Sequence, residues 1–193
     1  ASGGSSSTDV PNRIIVGHDG NLLVVGTAWV DGVFGNRTYV QKGSKSNGFV
    51  AKISADGEWL WANGLGGKGH DTAVGIVKMG SGRYSVTGYF NDKIDIGDTR
   101  LTSKGNADVF VAEIDEEGNW LAASSFGGPG SDRGYSVVAD ENGNIILGGT
   151  FEKTLTYGGE EYQSTGSGSS AFVALYQPYF DPEEGLVAYY PFN

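Results

Sequence analysis

Hydrophobic residues alternate with small or polar ones in short runs along this chain of 193 residues, and the runs return after 61 or 62 positions. Tyr84, Val86, Gly88 and Phe90 share one face at period two. Ile145, Leu147, Gly149 and Phe151 hold the same places one repeat later, and Leu22, Val24, Gly26 and Ala28 one repeat earlier. Alternation at period two predicts β-strands with two unlike faces. A glycine at the same site of all three runs predicts close approach by backbone or a large side chain. In the middle unit the stretch 73–79 is an earlier strand, with Val74, Ile76 and Val77 as its apolar positions, and Gly80-Ser81-Gly82 turns into the next. VFVAEI from Val109 is a third strand, with Phe110, Ala112 and Ile114 on one face. Asp115-Glu116-Glu117-Gly118 then turns into a fourth, NWLAASSF. The intervening stretch 91–108 is polar and glycine-punctuated, and reads as a projecting hairpin or loop.

Other landmarks keep the same period. Gly66-Gly67 precedes Asp71 as Gly127-Gly128 precedes Asp132; Trp59 returns as Trp120, FVAKI from Phe49 as FVAEI from Phe110, and a third FVA begins at Phe172. Such a period marks units that cannot bury their own apolar faces and must stack on neighbours. Four short antiparallel strands in each roughly 60-residue unit is the pattern of a β-propeller blade. The expectation is therefore an all-β chain of about twelve strands in three four-stranded sheets, with units near 4–65, 66–126 and 127–193. Three blades leave open edges that need pairing or cover. This implies a partial propeller or half of an oligomeric ring.

The blocks GGKGHDTAVGIV, YSVTGYF, ADVFVAEIDEEGNWLAASSFGG and PGSDRGYSVVADENGNIILGGTF resemble the seven-bladed β-propeller (SBBP-type) repeat of bacterial secreted and surface proteins. The resemblance covers about residues 4 to 177. It implies a non-enzymatic scaffold or adhesion module that is extracellular or held at the cell surface. The third unit departs from the pattern, with QPYFDPEEGLVAYYPFN in place of the GN-x-x-W strand. Residues 181–185 suit a turn and 186–192 a fourth strand. The same stretch, 178–193, is also similar to the opening of laminin-G-like, concanavalin-type domains, which implies a longer multidomain parent.

Charge narrows the partners. With 13 Lys and Arg against 23 Asp and Glu the net charge is −10, so the clustered cations that neutralise nucleic-acid phosphates are missing. Plentiful glycine and scarce proline fit tight turns between strands. The absence of cysteine excludes disulfides and thiolate metal sites without fixing the compartment. No apolar run approaches the ~20 residues of a membrane-spanning helix. The opening ASGGSSST reads as a mature N-terminus after processing or a cloning remnant, and both fit export.

Candidate chemistry is sparse. His18 and His70 fall at unrelated points of the repeat, with no second ligand at metal spacing. The GGKGHD and GGPGSD strings lack the Lys-Ser/Thr of a phosphate loop and read as inter-blade turns. No serine lies on a nucleophile elbow. Asp71 and Asp132, aligned with Asp9, could bind a cation or line one mouth of a central channel; the simpler reading is that each caps N–H groups of its turn. Asp140 begins an acidic string without the glycine and distal Glu of a calcium loop. The paired carboxylates are consecutive in turns and point apart, unlike the facing pair of a glycosidase. Trp59, Trp61 and Trp120 suit gaps between blades. Trp29 and Tyr39, in the variable hairpin of the first unit, are the better candidates for a ligand surface. The Asn36-Arg37-Thr38 sequon matters only if the source glycosylates asparagine. These readings predict no catalytic residue, metal or cofactor. The expected partners are other blades, further domains or copies of the chain. Alternatives are a lectin-like propeller that binds glycans and a self-assembling subunit of a ring or filament.

Overall fold

A computed structural model describes residues 3–4, 6–29, 31–35, 37–39 and 45–177, with backbone alone for Gly4 and 37–39. The described chain is all β, and its named strands pair antiparallel throughout. The first unit contains β1 (Gly3–Gly4), β2 (Asp9–Val16), β3 (Leu22–Ala28), β4 (Gly32–Phe34), β5 (Arg37–Tyr39), β6 (Asn47–Ile53) and β7 (Trp59–Gly67). Here β2, β3, β6 and β7 lie side by side, while β4 and β5 form a hairpin that carries β1 on its edge. The second unit repeats this with β8 (Asp71–Lys78), β9 (Arg83–Phe90), β10 (Lys93–Ile96), β11 (Thr99–Thr102), β12 (Asp108–Asp115) and β13 (Trp120–Phe126). Its sheet is β8-β9-β12-β13, and β10–β11 is the hairpin. The third unit has β14 (Arg133–Ala139), β15 (Ile145–Glu152), β16 (Thr154–Tyr157), β17 (Glu160–Gln163) and β18 (Ser169–Tyr176), with the sheet β14-β15-β18 and the hairpin β16–β17. Its expected fourth strand and the laminin-G-like reading of 178–193 lie outside the described residues.

Twelve strands was therefore too few, because each stretch between second and third strands is itself a hairpin. Nor does that hairpin project freely. Ile94 pairs with Gly67 and Asp95 with Gly66, so β10 extends the end of the preceding unit's outer strand. The glycine pair expected as an inter-blade turn is thus the end of a strand. Its composition follows from contact: a Cβ on Gly67 would stand 1.8 Å from the Lys93 carbonyl oxygen, and one on Gly128 1.8 Å from that of Thr154.

The recurring strand glycines meet the close approach expected of them. A bulge interrupts the first strand of each unit, between Pro11 and Arg13, Ala73 and Gly75, and Gly134 and Ser136. The residue ahead of each bulged pair presses its carbonyl onto the glycine of the second strand, Val10 onto Gly26, Thr72 onto Gly88 and Arg133 onto Gly149. From the third strand Phe49, Phe110 and Phe172 pair with the same glycines and lay their rings against them.

The sheets stack in chain order. Tyr84, Val86, Phe90, Phe110, Ala112 and Ile114 form one face of the second sheet and pack with Leu23, Val25 and Val50 of the first. On its other face Val109 and Val111 pack with Leu147, Phe151 and Phe172 of the third. First strands are the wedges: β8 lies against β2, β3 and β6, and β14 against β8, β9 and β12. Each fully buried Phe, Leu or Val contributes about 1.5–3 kcal/mol of transfer free energy, so stacking dominates over any single polar contact. Among the described residues no helix is long and apolar enough to cross a membrane.

Candidate functional site

Asp71 and Asp132 stand at the starts of the second and third units and are fully buried. Asp71 accepts the Gly67 N–H at 2.8 Å, and Asp132 accepts the Gly128 N–H at 2.5 Å and the Glu152 N–H at 3.2 Å. Their own N–H groups donate backwards, Asp71 to the Ser46 carbonyl at 2.9 Å and Asp132 to that of Ala107 at 2.7 Å. Burial pushes the carboxyl of Asp71 up to about 7 and that of Asp132 up to about 6, against the pull of the donated N–H groups. Geometry thus favours the turn-capping role: each side chain ties the end of one unit's outer strand to the next unit's first strand. The two lie one repeat apart, and no three His, Cys, Asp or Glu groups converge as a metal site among the described residues.

Trp29 sits just past β3, 43% exposed, with its ring edge-on to His70 at 5.4 Å. His70 Nδ1 lies 3.0 Å from Ser46 Oγ. The structure thus joins Trp29 to the turn that carries Asp71, a meeting between units that spacing alone does not announce. Tyr39 closes β5, opposite Gly32; its side chain lies outside the described residues. Trp61 fills a gap between sheets, as expected, donating its indole N–H to the Glu116 carbonyl at 3.1 Å. Trp59, expected in such a gap, instead packs within its own unit, on Phe34 of the β4–β5 hairpin at 4.8 Å between ring centres.

A second polar constellation, with no motif in the sequence to announce it, surrounds Lys52. Lys52 on β6, with its side chain 5% exposed, places Nζ 2.8 Å from both Asp19 Oδ2 and Glu116 Oε2. It also donates to the Glu116 carbonyl at 3.0 Å. The Tyr84 hydroxyl donates to Glu116 Oε2 at 2.7 Å and accepts the His18 N–H at 2.9 Å. Desolvation is the largest single influence on both carboxylates and works against them, yet the Lys52 hydrogen bond and charge, with Asn21 donating to Asp19 and Tyr84 to Glu116, together outweigh it. Asp19 is lowered to about 2, and Glu116 lies below the usual range. Desolvation would lower the Lys52 ammonium, but its two acidic partners raise it instead. A lysine held charged in this way is no nucleophile or base at neutral pH; it clamps the turns of two units to the first sheet. The available signal was a lysine in the buried FVAKI strand whose counterpart is Glu113.

An open polar depression of about 420 Å³ lies between these elements, lined by Asn63, Gly64, Gly97, Asp98, Gly118, Asn119 and Trp120. Gly97, at φ 58°, lets the hairpin turn close onto Trp120. Asn63 donates to the Gly118 carbonyl at 2.5 Å, and Asp98 and Trp120 are among the side chains that line the depression. No family model and no curated protein matches the chain.

Proposed function

We propose that the chain is a non-catalytic scaffold of β-propeller type, an interaction or adhesion segment of a bacterial secreted or surface protein. The observation that carries this reading is where the buried charge goes. Asp71, Asp132 and the Lys52–Glu116 pair each fasten one repeat unit to the next through at least one carboxylate oxygen, although Asp71 Oδ1 and Glu116 Oε1 are buried without a hydrogen-bond partner. Perturbed carboxylates at reaction centres usually face a cleft; these face turn N–H groups. The stacked sheets and the SBBP-type spacing of the blocks support radial arrangement of the units. Export is tested on intact cells of the source. Brief protease treatment should release peptides of this chain into the medium, and recovery only after lysis would contradict the extracellular part of the proposal.

The depression beside Trp120 supports a second reading, a lectin-like propeller. An indole beside amide and carboxylate groups combines an aromatic surface with a few polar groups that fix orientation, as small-ligand sites do. A glycan array separates the two. Retention that Trp120→Ala and Asp98→Ala abolish would favour the lectin.

A further inference from the structure

Charge is divided between the two ends of the strands. Because neighbouring strands run antiparallel, the turns from first to second and from third to fourth strands share one end of each sheet, and the segments leading into first and third strands share the other. Adjacent sheets keep this sense, since Asp71 and Asp132 open β8 and β14 by donating to the carbonyls of Ser46 and Ala107, just ahead of β6 and β12. The turn end is acidic, with Asp19, Asp56, Glu58, Glu117, Asp140 and Glu141. The other end carries Lys45, Lys68, Lys93, Lys104, Arg133 and Lys153, all exposed. None of these cations is ion-paired among the described residues. Of the carboxyl groups there, Asp71, Asp108 and Asp132 are buried, Asp9 and Glu152 are half-buried, and Asp31 and Asp92 are exposed.

Exposed aromatic rings stand at the same end and bridge neighbouring sheets. Trp29, past the end of β3, meets His70, just ahead of β8. Arg133 in β14 lays its guanidinium over the Tyr89 ring, 5.2 Å from the centre. Tyr135, 46% exposed, stands edge-on to Tyr89 at 6.4 Å. A guanidinium stacked in this way keeps its N–H edge for an acceptor. Further sheets stacked face to face would cover faces, not strand ends, so additional units leave this surface as it is. We propose that it binds an acidic polysaccharide, the Arg133 fork taking a uronic acid carboxylate and Tyr135 the apolar face of an adjoining sugar ring. The lysines supply attraction at longer range, and Trp29 offers a second ring one joint away. Duplex nucleic acid fits less well. It carries one charge every ~1.7 Å, whereas these cations stand singly with Asp92 and Glu152 between them. A uronic acid polymer carries one charge per ring. The inference rests on the scaffold reading in placing the chain outside cells, where such polymers occur. It is separate from the depression beside Trp120, which lies by the Gly118 turn at the acidic end.

Electrophoresis of the full chain through gels containing polygalacturonate tests this, with the methyl ester of that polymer as its uncharged counterpart. The expected result is retardation by polygalacturonate that weakens as salt rises, and little by the ester. Arg133→Gln should weaken binding about tenfold or more, the loss expected for a hydrogen bond between charged groups. Tyr135→Ala should also weaken it, while Lys78→Gln, at the acidic end, should change nothing. Both Arg133 and Tyr135 side chains are exposed, so far-ultraviolet circular dichroism should stay as in the wild type. The double variant Lys68→Gln, Lys104→Gln lies in loops and should weaken binding without touching a strand, which keeps the test decisive if a strand variant misfolds. No retardation, equal retardation by the ester, or binding that all these variants keep would overturn the proposal. So would tighter binding to duplex DNA or to vesicles of anionic lipid at the same salt. Failure to bind while intact cells still release peptides of this chain would leave the scaffold reading standing.

Discussion

The carbonyl oxygen of Thr72 lies 1.9 Å from where a Cβ on Gly88 would stand, and the Phe110 ring closes the same space at 2.9 Å. Backbone cannot yield as a flexible side chain can. Gly88→Ala should therefore cost ~2–3 kcal/mol by forcing the bulge and its neighbour apart. Gly148, whose added Cβ would meet only Ser136 at 3.9 Å, is the control. Gly148→Ala should be neutral or stabilise by up to ~1 kcal/mol through reduced freedom of the unfolded chain. Urea unfolding of the two variants measures both, and equal effects would remove the close-approach argument.

The glycine sites could be read from the chain because a residue without a side chain, repeated at one period on an apolar face, has few explanations. The bulges that press on them could not be read. The extra residues Asn12, Val74 and Tyr135 share no chemistry, and a bulge is a backbone event. The stacking face of Tyr84, Val86 and Phe90 followed from period two, and a hairpin or loop between second and third strands from its polar, glycine-punctuated composition, whereas the place where the hairpins dock did not. Their pairing with the preceding outer strand depends on Gly66 and Gly67, which read equally well as turn residues. Of the candidate site residues, Asp71 and Asp132 do what short-range capping suggests. Lys52 was hidden because its partners, Asp19 and Glu116, are 33 and 64 positions away.

That Lys52 clamp makes a prediction about stability. Lys52→Met leaves Glu116 without its cation in a largely enclosed place and should cost ~3 kcal/mol, within the range for breaking a buried pair from one side. Pairing it with Glu116→Gln should recover part of the loss. Tyr84→Phe removes one hydrogen bond to a charged group and should cost ~1.5–3 kcal/mol. A double-mutant cycle by thermal and urea unfolding gives the coupling, and a coupling near zero for Lys52 and Glu116 would show that the contact contributes no specificity to the joint.

Acidity should stabilise this protein before it unfolds it. The Asp71 carboxyl titrates near 7 when folded and at 3.8 in its ordinary state, and Asp132 near 6. Between those limits the folded state holds protons that the unfolded chain has lost, so stability falls as pH rises from about 4 to 7. Asp19, held at about 2, and Glu116, also lowered, act oppositely: their contribution is present above the ordinary carboxylate range and is lost below it. The melting temperature should therefore peak at about pH 4–5. Asp71→Asn keeps an acceptor for the Gly67 N–H without the charge. It should raise the melting temperature at neutral pH and flatten the decline toward it, and a profile unchanged by that substitution would refute the assignment.

The acidic turns make the last prediction. Asp115 Oδ1 accepts the N–H groups of Glu117 at 3.0 Å and Asn119 at 2.7 Å, while Oδ2 accepts the Asn119 side-chain amide at 2.9 Å. Asp140 repeats the arrangement with Asn142 and Asn144. A carboxylate already surrounded by N–H donors has its oxygens turned toward the turn, and a cation would have to displace those bonds. Gly118, at φ 91°, completes the reversal into β13. Asp115→Ala removes three hydrogen bonds to a carboxylate at once, but in a turn where water can replace them, and should therefore destabilise by ~1–2 kcal/mol. Millimolar calcium or a chelator should leave the melting temperature of the wild type where it was. A calcium-dependent rise that Asp115→Ala or Asp140→Ala abolishes would reverse the conclusion and make these turns ion sites.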